Sequence, residues 1–359
     1  MRKAKIELYS AYLKETLSYE DFYNAIKLVY ENISSFDQFS VYFTNGVNEK
    51  STLDFYNVVR SNLTINYYLQ YVLKFNKVFN RWCDFENELG KILHSFDYFL
   101  SKINADSNTK NYEVSIRGKL ETINIFSVGF SSGWRGFTFT SYDDYQTGVL
   151  IDSNYEGKYD YFSLVNRIDE IRKEVIEGLY EDLCLFKTIF KLYLMAVISP
   201  KDKFLDKISL ENIVTFNYSK TIENSTLATG VFHIHGDLDG DIVLGVDSTK
   251  PFINNAFNKF TKASQRGHLS DSQNLMGTIK DAKIIGYFGL SFDSSDKSSF
   301  DFIFKNTDAK HYVFYYKNTL DDTISNIQEI IGMDYYSLLK NNGKIEFVNS
   351  SLITFIDKK

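Results

Sequence analysis

The stretch "AKIIGYFGLSFDSSD", residues Ala282–Asp296, decides how the chain is built. A short apolar run reaches Gly289, passes Ser291 and ends at Asp296, ahead of helical spacing in "SSFDFIFKNT" (298–307). A continuous apolar run of this length, closed by turn residues, reads as a strand of a covered parallel sheet. Strand, glycine turn and helix together form the unit from which α/β folds are assembled.

The same unit recurs on either side. Apolar runs bounded by turn residues stand at "NIVTFNY" (212–218), "VFHIH" (231–235), "DIVLGV" (241–246) and "KHYVFYY" (310–316). A helical pattern follows in "LDDTISNIQEIIGMDYYSLLKN" (320–341), and the chain ends in "KIEFVNSSLITFID" (344–357). The C-terminal half therefore reads as a mostly parallel sheet covered on both faces, with ligands expected at the carboxyl ends of its strands.

Farther out the pattern changes. Helical spacing dominates "YEDFYNAIKLVYENI" (19–33) and the long pattern Ile65–Ile103, which is one strut or two helices in line. "NADSNTKN" (104–111) is a polar linker, and alternation in "YEVSIRGKLETINIFSVGF" with the turn-rich "SSGWRGFTFTSYDDYQTG" marks a small antiparallel β insertion. Helix returns over 161–198. The division is a helical region 1–104, the insertion 105–153, a helical return 154–200 and an α/β domain 201–359. Trp134 and Arg135 in "FSSGWRGF" read equally as an interface pair or as the insertion's own core.

Composition excludes several classes of function. At 359 residues and 44% hydrophobic, the chain can bury more than one core. The net charge of −6, spread along the chain, argues against nucleic-acid binding through a basic face. Two distant cysteines, Cys83 and Cys184, give neither a disulfide framework nor a zinc pattern. The longest apolar run, "LYLMAVIS" (192–199), is short of the ~18 residues of a membrane span. A soluble cytoplasmic protein is expected, with no signal-peptide core in "MRKAKIELYSAYLKE".

Three motifs fall at equivalent strand ends. Asn217-Tyr218 closes the first strand, ahead of a helix that Ser219 could cap; Asn217 reads as a ligand contact or as a turn residue. His235-Gly236 closes the next. Strand alternation would send His233 and His235 to one face, and glycine would let a ligand approach the backbone. A neutral imidazole there suits a general base, against the commoner fate of a hydrogen-bonded edge histidine. The third is Gly289 with Ser291 and Asp296, suited to a phosphate or ribose, or to capping by Ser295 or Asp296. No His or Cys cluster completes a metal shell, so no metal is expected. Asp237, Asp239 and Asp241 read as a solvated turn around Gly240 rather than a magnesium site.

Taken together, Phe216-Asn217-Tyr218-Ser219, His235-Gly236 and Gly289-Leu290-Ser291-Phe292 with Asp296 resemble the AbiH family of phage-abortive-infection proteins and a sirtuin-like fold. Trp82-Cys83-Asp84-Phe85-Glu86 matches that family's "W-x-D-x-E" helix. Leu290 replaces the family's usual histidine. The family's opening strand and glycine loop have no counterpart before "LYSAYLKE", which implies a truncated start or a branch without that strand. The resemblance implies an anti-phage protein with NAD as substrate or ligand. His235 and Asn217 would be catalytic in hydrolysis of the nicotinamide–ribose bond. Tyr218, Gly236, Gly289, Ser291 and Asp296 would hold the nucleotide. The alternative is a non-enzymatic sensor of a nucleotide or phage protein. Partners implied are a phage-encoded trigger and a second copy or another defence protein, without a membrane.

Overall fold

The computed structural model describes residues 19–31, 35–43, 46, 48–63, 66–74, 79, 82–102, 112–117, 137–142, 145–150, 168–198, 212–220, 230–247, 249, 251–267, 272–316 and 318–349. The linker 104–111, Trp134, Arg135 and the stretch preceding Tyr19 lie outside the described residues.

Amphipathic spacing builds the first layer. In α1 (Tyr19–Tyr30), Tyr19, Phe22, Tyr23, Ile26 and Val29 recur at helical intervals and are buried. It packs with α2 (Phe36–Tyr42), α3 (Glu49–Asn62), α4 (Tyr67–Lys74), α5 (Trp82–Lys102) and α6 (Ile168–Val197). The Ile65–Ile103 pattern thus divides into α4 and α5. Aromatic rings fill this core: Phe22 meets Phe186 and Phe190 edge-on at 5.7 and 5.6 Å, and Phe85 stacks on Phe186 at 5.0 Å. Such pairs add about 0.5–1.5 kcal/mol each beyond their burial.

Between α5 and α6 lie β1 (Tyr112–Arg117), β2 (Phe137–Tyr142) and β3 (Tyr145–Leu150), an antiparallel sheet in the order β1-β3-β2. Two parallel sheets follow. β4 (Asn212–Thr215) pairs with β5 (Gly230–His233), and β6 (Ile284–Phe288), β7 (Lys310–Tyr315) and β8 (Ile345–Asn349) pair in that order. Among the described residues the two sheets are not hydrogen-bonded to each other. They are linked by a second core, in which Ile234 joins Tyr287, Val313, Ile345 and the helices α8 (Ser272–Asp281), α9 (Lys297–Lys305), α10 (Leu320–Ile331) and α11 (Met333–Asn341).

Two expectations need correction. Among the described residues the sheet is not covered on both faces at β6. Its helices gather on the Tyr287 side, leaving Ile284 67% and Phe288 56% exposed on the other. "DIVLGV" is not a strand. Ile242 and Val246 make single bridges, to Gly236 and Thr261, and the segment packs on the first core. The helical pattern over 320–341 forms as read, in two helices that meet at Gly332 (φ +85°), a left-handed position that suits glycine.

Segment 242–261 fastens the layers together. Asp97 of α5 accepts the backbone N–H groups of Ile253 (2.5 Å) and Asn254 (2.9 Å), and His94 stacks on Phe252 at 4.4 Å. A 3₁₀ turn (Asn255–Phe260) then delivers the five-residue α7 (Lys262–Arg266), whose first turn Thr261 caps.

Candidate functional site

The end of β5 is set by a turn rather than by pleating. The strand stops at His233, and Gly236 adopts φ +73° so that its N–H reaches the His233 carbonyl and Val243 N–H reaches the His235 carbonyl. A side chain at Gly236 would put Cβ 1.9 Å from the Asp241 carbonyl oxygen, so glycine is required. The expected alternation therefore does not carry through to His235. His233 donates Nδ1–H to the Asn217 carbonyl at 2.7 Å, while the His235 ring turns to Asp296. The two histidines serve different partners.

Asp296 arrives from the loop after β6. Gly289 takes φ +65° and Phe292 takes φ +53°, the one non-glycine residue with a positive φ among those described. A buried aromatic ring in the left-handed region marks local strain of about 1–3 kcal/mol, which packing against Tyr287 and Phe300 holds in place. Asp293 then caps a short 3₁₀ turn (Ser294–Asp296), and Asp296 makes no cap of its own. Its carboxylate is spent elsewhere. Oδ1 accepts from His235 Nε2 at 2.9 Å, Lys262 Nζ at 3.1 Å and Arg266 Nη2 at 3.2 Å.

Lys262 and Arg266, one helical turn apart on α7, complete the cluster. Lys262 is wholly buried and also donates to Glu86 Oε2 (2.7 Å) and the Ser295 carbonyl (3.0 Å). Arg266 reaches Ser299 Oγ at 2.6 Å and the Ile234 carbonyl at 3.2 Å. Glu86 belongs to the "W-x-D-x-E" helix. Thus the three motifs around Glu86, His235 and Asp296, far apart in sequence, meet in one hydrogen-bonded group.

Electrostatics fix the protonation states. Burial works against the Asp296 carboxylate, but His235, Lys262 and Arg266 together hold it well below the usual range. Burial likewise opposes the Lys262 charge, and Glu86 and Asp296 outweigh it, so the ammonium is held above its ordinary value. Burial pushes Glu86 up to about 7 against the pull of Lys262. Burial, aided by Lys262 and Arg266, lowers His235 to about 4, although Asp296 pulls the other way. His235 is therefore a neutral imidazole at neutral pH. Facing a carboxylate, it must carry its proton on Nε2. Nδ1 bears the lone pair and has no hydrogen-bond partner among the described residues.

The other expected residues lie at the same strand ends but outside this group. Asn217 is half-buried, its N–H donating to Thr215 Oγ1. Tyr218 donates its hydroxyl to the Val243 carbonyl, and its ring lies 6.0 Å from that of His235. Phe216 meets the imidazole edge-on at 5.4 Å. Gly289 and Ser291 are exposed, and the Ser291 carbonyl accepts from Asn326 Nδ2. Residues 221–229, where Ser219 would cap a helix, lie outside the described residues. Asp237 closes its turn by accepting the N–H groups of Asp239 and Gly240, and Lys220 pairs with Asp239. Among the described residues no group of three or more metal-ligating side chains gathers, and no helix is long and apolar enough to cross a membrane.

A sheet segment whose strand-end motifs converge on a histidine–carboxylate pair fits the sequence resemblance, and the family comparison decides the class. The model for bacteriophage abortive infection AbiH matches residues 13–317, most of the chain. The chain belongs to that family, a family of phage abortive infection defence proteins. Comparison with curated proteins and with solved structures yields no match.

Proposed function

We propose that this defence protein hydrolyses the nicotinamide–ribose bond of NAD, depleting the nucleotide during infection, with His235 as the base. The observation that supports the reading is the state of His235. It is a neutral imidazole, oriented by Asp296, with Nδ1 free of protein partners among the described residues, beside the carboxyl ends of β4 and β5. Nucleotides gather at such strand ends.

In this reading Nδ1 takes a proton from water as the water oxygen bonds to the anomeric carbon. The electron pair of the glycosidic bond leaves with nicotinamide, whose ring nitrogen becomes neutral, so no general acid is required. Asp296 stabilises the imidazolium through Nε2–H. Asn217 orients the ribose, amide or water; Tyr218 and Gly236 line the base. Gly289, Ser291 and the outer oxygen of Asp296 take the adenosine side. Purified protein should release nicotinamide from NAD, with or without phage lysate, and His235→Ala should lower the rate ~10²–10⁴-fold. Full turnover in His235→Ala would end the proposal.

One observation favours a second reading. The cluster is deeply buried, with His235 only 6% exposed, which suits a rigid receptor for a nucleotide or phage protein as well as it suits catalysis. Stabilisation by NAD in a thermal-shift assay, without product at any protein concentration, would select that sensing role.

A further inference from the structure

Nothing in the base reading assigns Lys262 or Glu86 a part. We infer that Lys262, held by Glu86, is the positioning residue that keeps His235 a neutral, Nε2-protonated imidazole, acting through the shared Oδ1 of Asp296.

The hydrogen bonds of the ammonium are all spoken for. It has three protons, and Lys262 has three acceptors: Glu86 Oε2, the Ser295 carbonyl and Asp296 Oδ1. It has nothing left to give a ligand, and no solvent reaches it. Arg266 cannot replace it. The guanidinium is anchored on Ser299 and the Ile234 carbonyl, and gives Asp296 one contact at 3.2 Å.

Charge balance does the rest. Two cations, Lys262 and Arg266, face the Asp296 carboxylate and Glu86, whose carboxyl burial holds up to about 7, so the carboxylates never outnumber the cations and leave the imidazole no charge to compensate. Tyr218 is the further titratable neighbour of the ring, and its hydroxyl, pointed at the Val243 carbonyl, stays protonated. Without the Lys262 charge, Asp296 would draw a proton onto His235 and the base would be spent before substrate arrived. Glu86 reaches in from α5, so the helical layer sets the protonation of a group in the sheet layer.

The inference rests on the reading of His235 as a base, but its test reads the imidazole itself. In the full chain labelled with ¹⁵N-histidine, two-bond ¹H–¹⁵N spectra report which ring nitrogen is protonated, and His235→Gln identifies the resonance. Wild type should show a protonated Nε2 and a bare Nδ1 at neutral pH. Glu86→Gln with Lys262→Met removes the ion pair without stranding a buried charge, and Lys262→Gln removes the charge but keeps a donor. In either variant the His235 titration midpoint should rise by at least ~1 pH unit, tenfold in proton affinity, while Lys262→Arg should keep the wild-type pattern.

An unchanged midpoint in a folded neutral variant would overturn the inference. So would a wild-type His235 that is Nδ1-protonated or charged, a result that needs no variant. Should the midpoint move while wild type releases no nicotinamide, the positioning role stands and the hydrolysis reading falls.

Discussion

Gly236 holds the candidate base in place by having no side chain. Its φ is +73°, and a methyl group there would meet the Asp241 carbonyl oxygen at 1.9 Å, so alanine has no room unless the turn that carries His235 moves. Gly236→Ala should destabilise the fold by at least ~1 kcal/mol, read as a lower urea midpoint at unchanged slope. A variant as stable as wild type would mean that the 236–242 turn is soft. Phe292 also has a positive φ, +53°. A bulky residue accepts strain there because its ring closes the core over Tyr287 and Phe300, and the loop then delivers Asp296. The residues that define the site are thus supported by neighbours whose own job is backbone shape.

Helix ends show how the elements lock. Asn66 caps α4 by accepting the Leu69 N–H at 3.0 Å, and its amide donates to the Asp182 carbonyl of α6 at 2.8 Å. Asp182 returns the contact by accepting the Tyr67 N–H. Asn66→Ala removes a cap and strands a buried carbonyl, and should cost about 1–3 kcal/mol in equilibrium unfolding. Values within error of wild type would show that α4 is held by its apolar face alone. Elements with strong periodicity, such as α1, α5 and the α9–β7 unit, are legible in the sequence, because burial on one face leaves a regular trace. "DIVLGV" misleads because an apolar run records that a segment is buried, not which layer buries it. Lys262 and Arg266 leave no such trace. "FTKASQR" looks like any surface stretch, and Lys262 is buried only because Glu86, 176 positions away, comes to meet it. Asp296 and His235 can be read as candidates, but not as partners, since their contact spans two sheets.

At the scale of the whole molecule, buried titratable groups make stability depend on pH. Burial lowers both His235 and His311 from 6.5 to about 4. Between those values the unfolded chain binds the extra protons, so stability is full above pH 6.5 and is lost on acidification. Glu86, raised to about 7, opposes this over part of the range, leaving roughly one proton's difference, or about 1.4 kcal/mol per pH unit. Unfolding midpoints should stay nearly level down to about pH 6.5 and then fall to about pH 4.5. His311→Leu, which removes a ring bonded through Nδ1 to Tyr287 and unpartnered at Nε2, should flatten that slope. A midpoint that climbs on acidification would contradict the assignment. The saturated ammonium of Lys262 has a consequence for lineages rather than molecules. A step that changes Glu86 or Lys262 alone strands a charge in the interior, so drift must carry both positions together. Across the AbiH family, chains lacking a carboxylate at the helix position should also lack the lysine, and a chain with only one of the pair should hold a compensating charge beside it.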